Sequence, residues 1–206
     1  VLNVPQGSPD WLRARAICNT ASEAPAMMGA SPYTSRTESL RRKATGITPD
    51  VDDATQARFD NGHEAEASAR LIFEARLGED LFPITVTTDD GKLLASLDGV
   101  TMDGATIFEH KRINEALRQQ IAAGELGPEY YWQLEQELHC AEAERVNFVA
   151  SDGTEDDCIW MEYRAVPGRI DDLLRGWEQF DRDLANWTDE PEVIKATGRT
   201  MQTLPA

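Results

Sequence analysis

The feature that most constrains this chain is Asp103-Gly104, set between two runs of β-branched and apolar residues in the stretch LLASLDGVTMDGATIFEHKRI, residues 93–113. Asp-Gly between such runs is the strongest short-range hairpin signal, because both central residues of a type I′ turn need positive φ. With these two residues as the turn, Asp98 stands opposite Glu109, and Ser96 opposite Lys111. Side chains alternate faces along a strand, so Asp98, Glu109 and Lys111 fall on one face at one end of the ribbon. Directly opposed Cβ atoms are only ~4.5–5.5 Å apart.

Two carboxylates held that close repel unless something cationic lies between them. A hard divalent ion such as Mg²⁺ suits the place, since it takes oxygen ligands and keeps several waters. Lys111 reaches the same space. An ammonium there can orient an attacking water, help it deprotonate, or stabilise charge developing on a phosphorus centre. The residues thus spell a metal-dependent phosphodiester-hydrolysing site. An Asp–Glu–Lys group on an antiparallel ribbon is also what a solvated cross-strand ion pair looks like. Spacing alone favours that plainer reading.

Resemblance reverses the balance. Ser96-Leu97-Asp98-Gly99 followed by Glu109-His110-Lys111 resembles the D…ExK core of the PD-(D/E)xK nuclease superfamily. Upstream, Trp11 to Arg15 reads as W-x-x-x-R, followed by Thr20-Ala21-Ser22, and Gly62 to Glu66 reads as G-x-x-x-E. Downstream comes Tyr131-Trp132-Gln133. Taken together, colinear from Trp11 to about Asp152, these elements resemble the YqaJ-like viral recombinase group that includes phage lambda exonuclease.

That resemblance implies an α/β fold, a single domain over 1–206 with a mixed central sheet flanked by helices. It implies a Mg²⁺-dependent alkaline exonuclease, with Mn²⁺ able to substitute. Such an enzyme degrades linear double-stranded DNA from 5′ ends and leaves a 3′ single strand. Asp98 and Glu109 would ligate metal, with Glu66 and the His110 carbonyl completing the shell, and Lys111 would act on the attacking water. Arg15 and Ser22 would seat the phosphate of the cut strand. Gln133 would support the site, and Ser96 faces it. Family members form homotrimeric rings, work with a single-strand annealing protein, and occur in phage or prophage recombination. ExK chemistry is shared with restriction and repair endonucleases, and a non-catalytic acidic interaction protein is the alternative outside the enzymes.

Each of these residues also has a structural reading. Arg15 can cover its helix with its methylenes. Thr20-x-x-Glu23 is a capping box, so Ser22 can serve a helix start. Glu66 is well placed to pair with Arg70 at i+4, and Gln133 can be a helix-surface amide. The Arg41-Arg42-Lys43 run reads first as a solvated face. His63, His110 and His139-Cys140 read as structural, since no second pair lies at zinc-ligand spacing.

The net charge of −17 speaks against DNA binding, which phosphate contacts dominate. It is unevenly spread. Residues 1–43 hold Arg13, Arg15, Arg36, Arg41, Arg42 and Lys43 against only Asp10, Glu23 and Glu38, so a locally basic lining is expected there. No run approaches the ~18 apolar residues of a membrane span, and the first residues, VLNVPQGSPD, read as no secretory leader. Three cysteines without C-x-x-C spacing fit a reducing cytoplasm.

Local signals give the rest. Ser8-Pro9-Asp10 opens a helix whose Trp11, Leu12 and Ala16 should face the core. A long helix is expected from Ala54 to Gly78, a strand over 83–88, and helices over 114–123 and 129–143. Strands over 146–150 and 158–164 follow, then an amphipathic helix over 167–187. The stretch from Thr188 reads as a mobile tail.

Overall fold

The computed structural model describes residues 1–2, 4–47 and 53–188, and of residues 53–61 and 63 the backbone only. The readings for His63 and for the tail beyond Thr188 lie outside the described side chains and residues.

Among the described residues, seven α-helices and seven strands follow the expected order, with the two-residue β1 added after the first helix. They are α1 (Pro9–Ile17), β1 (Asn19–Thr20), α2 (Ala24–Met27), α3 (Arg36–Thr45), α4 (Asp53–Leu77), β2 (Ile84–Thr87), β3 (Leu93–Leu97), β4 (Gly99–Val100), β5 (Thr106–Arg112), α5 (Glu115–Ala123), α6 (Pro128–Ala141), β6 (Arg145–Ser151), β7 (Ile159–Tyr163) and α7 (Arg169–Ala185). Capping follows the sequence. Ser8 accepts from Trp11 N at the head of α1, and Asn114 from Leu117 N at the head of α5. Thr20 and Glu23 form the expected capping box.

In place of one central sheet there are two mixed sheets. One has the order β1-β3-β2 and the other β4-β5-β6-β7. The extended segment 93–100 supplies a strand to each and changes sheet at Asp98. Ser96 therefore lies opposite Thr85, not Lys111. Beyond Asp98 the expected register holds, with Gly99 opposite Phe108 and Val100 opposite Ile107. The turn itself differs. Thr101 N bonds Thr106 O, and Gly104 N returns to Thr101 O, so the loop spans 102–105. Only Gly104 of the pair has positive φ, at 76°. Asp103 Oδ1 accepts from Thr101 Oγ1 (2.7 Å) and Ala105 N (2.9 Å). Such Asx bonding offers the backbone an alternative to the I′ turn. The loop lengthens by one residue on each side, so the register survives.

β5 and β6 run parallel, which requires the crossover that α5 and α6 provide. Helices cover both faces of this sheet. On one face α6 and α7 bury Leu134, Leu138, Leu173, Trp177 and Phe180 with Ile107 and Phe148. On the other, α4 sets Ala69 and Phe73 against Phe108 and Val149. The loop after β6 comes so close to α4 that a Cβ on Gly153 would stand 3.0 Å from Ala65 Cα, and Gly153 has φ 96°. Gln136 ties the layers together from complete burial. Its Nε2 donates to the carbonyls of Asn19 (2.8 Å) and Leu94 (3.2 Å), and its Oε1 accepts from Trp177 Nε1 (2.7 Å).

Two expectations fail at the N-terminal edge. α1 buries no residue fully: Leu12 is 57% exposed and Ala16 is exposed as well. Trp11 is partly buried and packs by its polar edge, as described below. Lys43 does not lie on a solvated face. Its side chain is 7% exposed, and Nζ donates to Glu23 Oε2 (2.8 Å) and to the Cys18 carbonyl (2.5 Å). Arg41 and Arg42 are engaged by Glu38. None of the described helices is long and apolar enough to cross a membrane.

Candidate active site

The switch between sheets is what builds the site. Because the chain bends at Asp98, the carboxylate turns onto β5, and its Oδ2 accepts the backbone N–H of His110 at 2.9 Å. Arg70 on α4 braces the same bend by donating to the Asp98 carbonyl (2.9 Å). Glu109 and Lys111 point to one face of β5. Lys111 Nζ lies 2.6 Å from Glu109 Oε1, and Glu109 is 1% exposed. From α6, Gln133 Nε2 donates to the same Glu109 oxygen at 2.6 Å and to Glu137 Oε1 at 2.6 Å.

Glu137 was not singled out from sequence. It is buried completely, and its carboxyl belongs to the same electrostatic cluster. A signal existed. It lies one turn beyond Gln133 and three residues after the core residue Leu134, a spacing that puts it on the buried side of α6.

The charges explain one another. Burial pushes the Asp98 carboxyl well up, Glu109 and Glu66 add to this by repulsion, and Lys111 and the His110 N–H oppose it. Burial likewise raises Glu137, with Glu109 adding. For Lys111, burial works against the ammonium, but Glu109 and Asp98 outweigh it and hold the group above its ordinary range. Lys111 is therefore a cation at neutral pH, suited to donating hydrogen bonds to phosphate or water oxygens rather than to accepting a proton. Glu66 stands 3.6 Å from Arg70, and its charge also reaches Asp98. The expected pairing with Arg70 is thus present.

A divalent cation fits this arrangement. Oε2 of Glu109 and Oε2 of Glu137 are buried without a hydrogen-bond partner, and the carboxylates repel one another. No three His, Cys, Asp or Glu side chains among the described residues already converge on one point as a closed metal cage. Mg²⁺ does not need one, since it is commonly held by one or two carboxylates and completed by waters.

The His110 ring packs among other partners than these groups. It lies parallel to Phe108, and its Nε2 is 2.9 Å from Ser151 Oγ. Burial, with Lys111 adding, lowers its pKa to about 4. A depressed histidine contributes stability that is complete above its unfolded value near 6.5 and is lost as pH falls toward 4. Urea unfolding in EDTA should therefore show up to about 3 kcal/mol lost between pH 7 and pH 4 through this group. The His110→Asn variant should lack that part of the slope, and an unchanged slope counts against the assignment.

The N-terminal motif meets the same strand. Trp11 Nε1 donates to Ser96 Oγ (2.8 Å), two residues before Asp98. The Arg15 guanidinium lies over the Trp11 ring at 4.5 Å, and its Nη2 donates to Ser22 Oγ (3.0 Å). The structure thus brings Trp11, Arg15, Ser22 and Ser96 into one chain of contacts. Among the described residues, the cations expected to form a basic lining over residues 1–43 are mostly paired. Arg13, Arg36, Arg41, Arg42 and Lys43 all sit in ion pairs with carboxylates, whereas among the described residues Arg15 does not.

The model of the YqaJ-like viral recombinase domain matches residues 10–144, which hold every residue described above as part of the site. The chain belongs to the YqaJ-like viral recombinase family. Membership makes it a nuclease. No curated protein matches the sequence significantly. In structure, the chain is similar to an alkaline exonuclease (LHK-Exo) from Laribacter hongkongensis, with a TM-score of 0.70 at 24% identity, covering 87% of this chain and 93% of that one. The same protein in complex with dAMP gives 0.71 at 23% identity and the same coverage. A phage-related exonuclease from Haemophilus somnus gives 0.56 at 12% identity, covering 83% of this chain and 96% of that one. These likenesses establish that the chain shares the α/β fold of those exonucleases.

Proposed function

We propose that this YqaJ-family nuclease is a metal-dependent 5′-to-3′ exonuclease that digests linear double-stranded DNA and leaves 3′ single strands for annealing-dependent recombination. The observation that carries the reading is the path of contacts from Ser22 through Arg15 and Trp11 to Ser96, two residues before Asp98. A guanidinium that makes no close ion pair among the described residues and feels Glu23 only at longer range, flanked by a hydroxyl, is a natural holder of a phosphate. Its link through Trp11 to Ser96 would hold a bound phosphate beside the segment that leads into Asp98.

Asp98, Glu109 and the His110 carbonyl would hold Mg²⁺, with Mn²⁺ as a substitute and Glu66 acting at longer range. The ion supplies positive charge for the reacting phosphate and for the oxygens exchanged there. Lys111 donates to the attacking water and to the phosphate oxygens, and Gln133 keeps Glu109 in place. Water adds at phosphorus and the bond to the 3′ oxygen breaks, so a mononucleotide leaves with its 5′ phosphate. A homotrimeric ring would retain duplex DNA by topology, which answers how so acidic a chain stays on its substrate. A single-strand annealing protein is the proposed partner, and the cytoplasm of a phage-infected or lysogenic cell the setting.

The test compares linear with closed-circular duplex DNA in Mg²⁺. The reading expects digestion of linear DNA, faster with a 5′-phosphoryl than a 5′-hydroxyl end, with that preference lost in Arg15→Ala. Cutting of intact circles favours an endonuclease. Activity indifferent to metal removes the site altogether.

A further inference from the structure

Gln133 has two amide N–H groups, and both point at carboxylates: one at Glu109 Oε1 and one at Glu137 Oε1, each at 2.6 Å. We propose that Glu137 is a positioning residue of the active site, which locks the Gln133 amide so that Gln133 in turn fixes Glu109 with one oxygen facing the metal position. The proposal rests on the metal-site reading given above and deepens it.

The argument is one of donors and acceptors. Glu109 Oε1 already takes two bonds, from Lys111 Nζ and Gln133 Nε2, while Oε2 has no partner. The carboxylate is thus held by one oxygen and left open at the other. The hold depends on which way the Gln133 amide faces. Rotated by half a turn, it would present its carbonyl to Glu109, oxygen against oxygen. Glu137 decides the matter. It sits at i+4 from Gln133 on α6, completely buried, and its Oε1 accepts the second N–H of the same amide, which favours the orientation that turns the other N–H to Glu109. A helix-surface partner could not do this, because water would satisfy either orientation. Glu137 also keeps a buried oxygen without a partner. Glu137 touches no substrate or reacting atom in this role and acts through Gln133.

The test is Mn²⁺ binding to the full chain by titration calorimetry, with thermal melts of each variant alongside. Glu137→Met removes the acceptor while filling the space. Glu137→Gln keeps an acceptor oxygen at the same reach. Gln133→Met removes the amide itself. The proposal expects Glu137→Met and Gln133→Met each to weaken Mn²⁺ binding about tenfold, and the double variant to be no weaker than either. Glu137→Gln should restore affinity to within about threefold of the parent. A merely structural role would change melting without this pattern. Parent-like binding by Glu137→Met overturns the proposal, as do fully additive losses, or a Glu137→Gln variant as weak as Glu137→Met, which would mean that charge and not the amide lock matters. If Glu137→Met does not fold, Glu137→Gln and Gln133→Met decide alone: parent-like binding by Gln133→Met then overturns it. A parent that takes up no Mn²⁺ ends the metal-site reading, and this inference with it. A parent that binds while Glu137→Met binds equally well ends this inference only.

Discussion

Replacing Asp98 with asparagine is expected to slow DNA hydrolysis by roughly 10²–10³-fold or more and, in the same protein, to raise the melting temperature measured in EDTA. The two effects have one cause. Asp98 Oδ2 accepts the His110 N–H, and an asparagine carbonyl oxygen can keep that bond. What asparagine loses is the charge. In the metal-free protein that charge is a liability, because burial, Glu109 and Glu66 all press the carboxyl toward its neutral form. Removing it should stabilise the metal-free fold by about 1 kcal/mol, equivalent to about 2–4 °C for a chain of this size. With Mg²⁺ present the order should reverse. The parent gains from binding, by about 2.7 kcal/mol at a hundredfold excess over the dissociation constant, and the variant gains little. Differential scanning calorimetry of both proteins, with EDTA and with Mg²⁺, measures all four values. A variant that melts lower than the parent in EDTA, or gains as much from Mg²⁺, contradicts the assignment.

Replacing Lys111 with methionine should remove activity to a similar degree and move stability the other way. Its ammonium is the only cation bonded to Glu109 among the described residues, and the Glu109 side chain is almost fully enclosed. Breaking a buried pair from one side leaves the other charge uncompensated, at about 3–5 kcal/mol for full burial. Lys111 retains partial contact with solvent, so a loss of roughly 2 kcal/mol in EDTA is expected. Mg²⁺ should return part of it by supplying positive charge to the same carboxylates. Asp98→Asn and Lys111→Met thus form a pair with equal effects on catalysis and opposite effects on metal-free stability. An inert structural ion pair would give neither the shared loss of activity nor the recovery with metal. Chemical denaturation in EDTA and in Mg²⁺ distinguishes the two cases.

How far the site could be read from sequence follows from which interactions are local. The pairing of residues around Asp103-Gly104 was legible, because a hydrophobic pattern and a turn signal fix register even when the turn is of another kind. The kind of turn was not, since it depends on Asp103 bonding to Thr101 and Ala105. The change of sheet at Asp98 was hidden as well. LLASLDGV alternates like one strand, and nothing in it announces that Trp11 will claim Ser96 or that Arg70 will hold the Asp98 carbonyl. These are contacts across 85 and 28 residues of chain. The bend matters for function, because it is what turns Asp98 onto β5.

Glu109 and Lys111 were legible as a pair, since they are two apart on one strand. Gln133 could be assigned only through family resemblance, and Glu137 was passed over, because a glutamate is expected at the surface even where its spacing from Leu134 puts it on the buried side of α6. The basic lining expected near the N-terminus was misread for a related reason. Counting charges cannot reveal that Arg36 reaches Asp183 or that Lys43 reaches Glu23 from across the fold. Trp11 and Arg15, by contrast, are i and i+4 on α1, and their stacking follows from that spacing.

The most direct test of the account is a crystal of the full chain soaked in Mn²⁺, with data collected to record the metal's anomalous scattering. The account predicts a peak bounded by the Asp98 carboxylate, the open oxygen of Glu109 and the His110 carbonyl, and its loss in Asp98→Asn. A map with no peak among these groups, or one in which the peak persists when Asp98 is gone, contradicts it.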